Sequence, residues 1–227
     1  MSIASLESYL EENYATFKES ASVVAQSDKR AKNLISSDHK LYNFDKISEA
    51  IYSTNSKSCS VDGLRVNDGF LEFIEFKTGF LRRLTRENWT PEIGTCDYKK
   101  GICDEYWKLY WKLDKKEREE LIDSIKDKAI ESFITYEKHI FLRLSEHDRI
   151  PLRLIAVIDG NSIDEYEDVL ASLAKKPTTA TNCVSCVRDA LNKLRNRSDA
   201  NDIPYFFDDI VVCTFRDFQE QLDKTDA

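Results

Sequence analysis

The stretch SVDGLRVNDGFLEFIEFK, Ser60 to Lys77, decides how this chain is read. Asp68-Gly69 stands between two apolar-rich runs, Ser60–Asn67 and Phe70–Thr78. A two-residue hairpin loop of type I′ needs positive φ at both central positions, which Asp-Gly tolerates well. With that pair as the loop, Asn67 faces Phe70, Val66 faces Leu71, Arg65 faces Glu72 and Leu64 faces Phe73. Arg65 and Glu72 then make an opposite-charge pair on one face, while Leu64, Val66, Leu71 and Phe73 cluster on the other. A three-residue loop would set Arg65 against Leu71 and Leu64 against Glu72, mismatching both pairs. The two-residue loop is preferred.

This register brings Asp62 opposite Glu75, with β-carbons roughly 4.5–5.5 Å apart, and like charges so placed are destabilising. Lys77 lies two residues beyond Glu75 and projects from the same face. A divalent cation between the carboxylates removes the objection, because hard cations take carboxylate oxygens and invert the local electrostatics. The plain alternative is a surface ion pair of Lys77 with Glu75 or Asp62.

Working outward, the strands are preceded by a short helix from Asp45, a good N-cap, to Tyr52. Residues 3–26 read as an amphipathic helix on Leu6, Tyr9, Leu10, Phe17 and Val24, followed by a polar stretch to Tyr42. Beyond the hairpin, Ile102–Leu113 leads into a long helix over Lys116–Leu144. Its stripe of Ile122, Ile125, Ala129, Phe133, Tyr136, Ile140 and Leu144 follows three- and four-residue steps. Trp107 and Trp111 read as packing residues. Leu152–Ile158 is a nearly continuous apolar run, suited to a strand covered on both faces. Ser162 with Glu165 makes a capping box, a helix covers Asn182–Asn196, Ile210–Cys213 is a second buried strand, and Thr214 with Asp217 caps the last helix. The order predicts a single α/β domain with helices packed on a central sheet, residues 1–42 forming an N-terminal helical extension and 43–227 the core.

At 227 residues, 41% hydrophobic and 33% charged, the chain can bury one full core. It has no apolar run of the ~18–20 residues a membrane span requires, and no basic, apolar leader. A cytoplasmic location is the expectation, with all six cysteines reduced. The net charge of −8 argues against non-specific coating of nucleic acid, but a local basic cluster suffices for an enzyme. Arg82, Arg83 and Arg86, with Lys99 and Lys100 further along, are candidate nucleic-acid-binding residues; taken alone they read as solvated surface.

Asp62, followed on the neighbouring strand by Glu75-Phe76-Lys77, resembles the signature of the PD-(D/E)XK nuclease superfamily. That resemblance implies a restriction-endonuclease-like fold, with an α/β mixed sheet flanked by helices. It implies Mg²⁺ or Mn²⁺ held by Asp62 and Glu75 with the backbone carbonyl of Phe76, polarising a scissile phosphate and lowering the pKa of a bound water. Lys77 would orient that water or neutralise charge on the phosphate. Glu49, on the helix before the hairpin, matches a further acidic position; it also reads as an ordinary exposed helix glutamate. The implied function is hydrolysis of phosphodiester bonds in DNA or RNA, in defence or repair. A binding or regulatory protein that keeps the fold without cleavage is the alternative, and a structural interaction protein is a third. Val61 stands where the family's proline would be. No glutamine–tyrosine motif follows Lys77, so endonuclease and exonuclease action both stay open.

Cys183-x-x-Cys186 with Cys96 and Cys103 could hold zinc or an iron–sulfur cluster, but buried free thiols explain them more simply. Cys59 and Cys213 read as small core residues. His39, His139 and His147 show no metal-ligand spacing, and no phosphate-binding glycine loop is present.

Overall fold

The computed structural model describes residues 3–27, 34–52, 59–80, 104–144, 150–159, 183–195 and 206–225. Among these residues, six strands form one mixed sheet in sequence order: β1 Lys18–Ser20, β2 Lys40–Asn43, β3 Gly63–Asn67, β4 Phe70–Lys77, β5 Leu152–Ile158 and β6 Asp209–Thr214. The first four pair antiparallel, and β4–β5 and β5–β6 pair parallel. The helices among the described residues are α1 Ile3–Tyr14, α2 Ala21–Val24, α3 Phe44–Tyr52, α4 Asp104–His139, α5 Cys183–Leu191 and α6 Phe215–Thr225. The parallel pairing requires crossovers, and α4 lies in the first of them.

Alternation along the strands splits the core into two layers. Leu71 and Phe73 of β4 join Leu152, Leu154, Ala156 and Ile158 of β5 against α1, α3, α4 and α5. Ile74, Phe76, Ile155 and Val157 face the opposite way, against α2 and α6. Strand β5 is therefore buried on both faces, as its unbroken apolar run indicates.

The β3–β4 hairpin has the register read from the sequence: Asn67 pairs with Phe70, Arg65 with Glu72 and Gly63 with Ile74. Asp68 and Gly69 both have positive φ, 51° and 81°, as a type I′ turn demands. At the end of β6, Thr214 and Asp217 cap α6 reciprocally. The Thr214 hydroxyl donates to Asp217 Oδ2 at 2.8 Å, and the Asp217 amide donates back to Thr214 Oγ1 at 3.1 Å.

Other elements differ from the sequence expectation. The N-terminal helix stops at Tyr14; a 3₁₀ turn, strand β1 and the short α2 follow it. Strand β1 pairs Lys18–Ser20 with Lys40–Tyr42, so residues 18–42 supply two strands where a helix and a polar stretch were expected. Cross-strand hydrogen bonding with a partner distant in sequence overrides local helical periodicity there. Helix α3 starts one residue early. Asn43 Oδ1 accepts from the Lys46 amide at 3.1 Å and does the capping expected of Asp45, which instead accepts from the Ser60 hydroxyl. The first strand of the hairpin begins at Gly63 rather than Ser60, and α4 is continuous from Asp104 to His139 before a 3₁₀ turn at Phe141–Arg143. The Ser162–Glu165 capping box, the side chains of Trp107 and Trp111, and Lys99 and Lys100 lie outside the described residues. Among the described residues, no helix is long and apolar enough to cross a membrane.

Candidate functional site

Asp62 sits one residue before β3, where the chain leaves the ladder. Its carbonyl accepts from the Phe44 amide at 3.0 Å, and its carboxylate Oδ2 accepts from the Phe76 amide at 2.7 Å. The Asp62 side chain thus takes over the pairing its backbone gives up. Glu75 lies in the middle of β4, beside Ala156 of β5 in register. It is fully buried, and Asp62 is nearly so.

Lys128 of α4 joins them. Its ammonium donates to Glu75 Oε2 at 2.9 Å and to Asp62 Oδ1 at 3.3 Å. The same nitrogen lies 2.9 Å from Glu75 Oε1, but that oxygen, buried, has no hydrogen-bond partner. Lys77 reaches α4 as well, donating to Ser124 Oγ at 3.0 Å. Ser132 Oγ accepts from the Val61 amide at 2.8 Å. Ser124, Lys128 and Ser132 recur at four-residue steps, so one polar line along α4 serves both sides of the hairpin.

Electrostatics follow from this burial. Removal from water, then the neighbouring Asp62 charge, push the Glu75 carboxyl well above its usual range, with Lys128 and Lys77 acting the other way. Burial also disfavours the Lys128 ammonium. Glu75 and Asp62, with Asp45, outweigh that and raise its pKa above the ordinary lysine value. One firmly held ammonium therefore stands against two carboxylates, and Glu75 is the member that keeps a proton to higher pH.

Asp62, Glu75 and Lys77 are thus gathered at one end of the hairpin. Glu49 lies on the exposed side of α3. On that helix, the charge of Asp45 acts on Lys128. Arg82, Arg83 and Arg86 lie outside the described residues. Sequence reasoning missed Lys128, Ser124 and Ser132. Their signal is a second four-residue repeat, polar, running one position behind the apolar Ile125–Ala129–Phe133 line.

Among the described residues, no group of three or more His, Cys, Asp or Glu is placed to hold a metal ion, so the acidic site is a pair. Two cysteine expectations are corrected. Cys59 and Cys186 are exposed, because Cys59 precedes the strand and Cys186 lies on the outer face of α5. Cys213 is buried as expected, and burial, with the nearby Asp217, pushes its thiol up to about 12. Cys96, Cys103 and the Cys183 side chain lie outside the described residues.

Comparison of the chain with protein-family models, with characterised proteins and with solved structures gives no significant match.

Proposed function

We propose that this protein is a Mg²⁺- or Mn²⁺-dependent nuclease with a restriction-endonuclease-like fold, cleaving phosphodiester bonds in DNA. The observation that carries the reading is the Asp62–Glu75 pair: two buried carboxylates brought together at the end of the hairpin away from its turn, one with an oxygen that accepts no hydrogen bond. Such a pair is unfavourable as packing and well suited to a hard cation. The donor set fits Mg²⁺, which binds through one or two carboxylates and keeps several waters. The bound ion would supply Lewis-acid polarisation of the phosphate and a water of lowered pKa.

The chain's own residues do the rest. Asp62 and Glu75 would hold the ion, assisted by the carbonyl of Phe76. Lys77, on the same face as Glu75, would orient the attacking water or offset charge on the phosphate. Glu49 would add a metal or water contact from α3, and Arg82, Arg83 and Arg86 would bind the phosphate backbone.

One observation favours a second reading, a nuclease-fold protein that binds or regulates without cleaving. The Lys128 ammonium already bridges the carboxylates and offsets part of their charge without a metal. Plasmid DNA, single-stranded DNA and RNA incubated with Mg²⁺ or with EDTA separate the two. Magnesium-dependent cleavage of DNA that Glu75→Gln abolishes supports the nuclease, and cleavage of RNA alone would move the substrate class. Lys77→Met should lose cleavage yet keep the rise in melting temperature that Mn²⁺ gives the wild type. A wild-type melting curve indifferent to Mn²⁺ and Mg²⁺ would end the metal reading.

A further inference from the structure

Lys128 is the solvent-side member of the cluster. Its side chain is 25% exposed, against 1% for Asp62 and 0% for Glu75, so an ion arriving from water meets the ammonium before the carboxylates. We propose that Lys128 is a displaceable internal counterion: it bridges Asp62 and Glu75 when no metal is bound, and a divalent ion enters by driving it out. The proposal rests on the metal reading above and adds to it a residue that sets metal affinity.

Three features carry it. The ammonium contacts both carboxylates at once, at 2.9 and 3.3 Å, which is where a shared cation would sit. It cannot stay there beside a dication, because two carboxylates balance a double charge and the surplus ammonium would be repelled at close range. Lys128 can also leave without disturbing the fold. Its backbone is fixed in α4, but a four-carbon stem lets the head group swing towards water while the helix stays in place.

The flanking residues of the polar line behave differently. Ser124 and Ser132 hold Lys77 and the Val61 amide, so they keep the hairpin seated on α4 whatever Lys128 does. Displacement is thus confined to one side chain. A protein built this way keeps its acidic pair partly offset without metal, and discriminates against monovalent ions, which bring no more charge than the ammonium they would replace.

Mn²⁺ binding measured by calorimetry on the wild type, Lys128→Met and Lys128→Arg tests this. Lys128→Met should bind Mn²⁺ at least tenfold more tightly than the wild type, because the competitor is gone. Lys128→Arg, which keeps a cation in place, should not show that gain. If the wild type and Lys128→Met bind equally, or the variant binds more weakly, Lys128 is no competitor and this inference fails while the metal reading stands. If neither binds Mn²⁺, both fail together. Wild-type crystals soaked in Mn²⁺ give an answer that does not depend on the variants folding. Metal density between the carboxylates with the Lys128 nitrogen withdrawn beyond hydrogen-bond distance supports displacement. Metal bound with the lysine still bridging both overturns it, and no metal density overturns it along with the metal reading.

Discussion

Glu75 is a carboxyl placed where its charge is unwelcome, and that makes its effect on stability a function of pH. Its folded pKa is raised, chiefly by burial and then by Asp62, so the folded chain holds a proton that the unfolded chain releases. The stability this contributes is fully present below the ordinary glutamate pKa and is lost as pH rises through the raised folded value. Glu75→Gln carries no titrating group there. In metal-free buffer the variant should therefore gain on the wild type as pH rises, ending at least as stable, with relief of the like-charge contact worth up to about 1 kcal/mol. Urea unfolding of both proteins from pH 4 to 9 measures it; a variant less stable than wild type at high pH would show that Lys128 fully compensates the pair. Asp62, Glu75 and Lys77 were legible in the sequence because the hairpin register alone aligns them. Lys128 was not, since its bond to Glu75 closes a separation of 53 residues that no local pattern encodes.

A helix sets what those residues can touch. Helix α4 gives Ile125, Ala129 and Tyr136 to the core and the adjacent Ser124–Lys128–Ser132 line to the hairpin. Ser132 is fully buried, and its hydroxyl is the acceptor for the Val61 amide, just ahead of β3. Ser132→Ala leaves that amide without this acceptor and should destabilise the protein by about 1–3 kcal/mol. It should also weaken any metal-linked rise in melting temperature, because Val61 positions Asp62. Thermal unfolding with and without Mn²⁺ reads both effects, and a loss below 0.5 kcal/mol, on the order of an exposed surface change, would mean water substitutes for the hydroxyl. The apolar stripe of α4, the hairpin, β5 and the cap of α6 were all legible, each resting on a local period or turn chemistry. Strands β1 and β2 were not. At 3 and 4 residues they are too short to show alternation, and their pairing is decided by partners elsewhere in the chain.

Across the whole sheet, the face opposite α4 carries a row of charges in strict register. Arg65 of β3 pairs with Glu72 of β4, Glu72 with Arg153 of β5, and Arg153 with Asp209 of β6. The bonds follow the rungs: Arg65 Nε donates to Glu72 Oε2 at 2.5 Å, Arg153 to Glu72 Oε1 at 3.0 Å and to Asp209 Oδ2 at 2.9 Å. Glu72 is almost fully buried and shared by both arginines. Glu72→Ala strands the buried Arg65 guanidinium and should cost about 3–5 kcal/mol. Urea midpoints would show it, and a loss under 1 kcal/mol, roughly the value of an exposed pair, would place the row among surface interactions. The Arg65–Glu72 pair was legible from the hairpin, but its continuation into β5 and β6 needs the parallel order of strands that only the tertiary fold supplies. At the other end of the sheet, β1 has a consequence for association. It is only 3 residues long, and its Lys18 and Glu19 are tied to Glu11 and Lys46 in ion pairs. A margin that short and that charged offers a neighbouring molecule no flat apolar strand to build on, so sheet growth from chain to chain is blocked at that border.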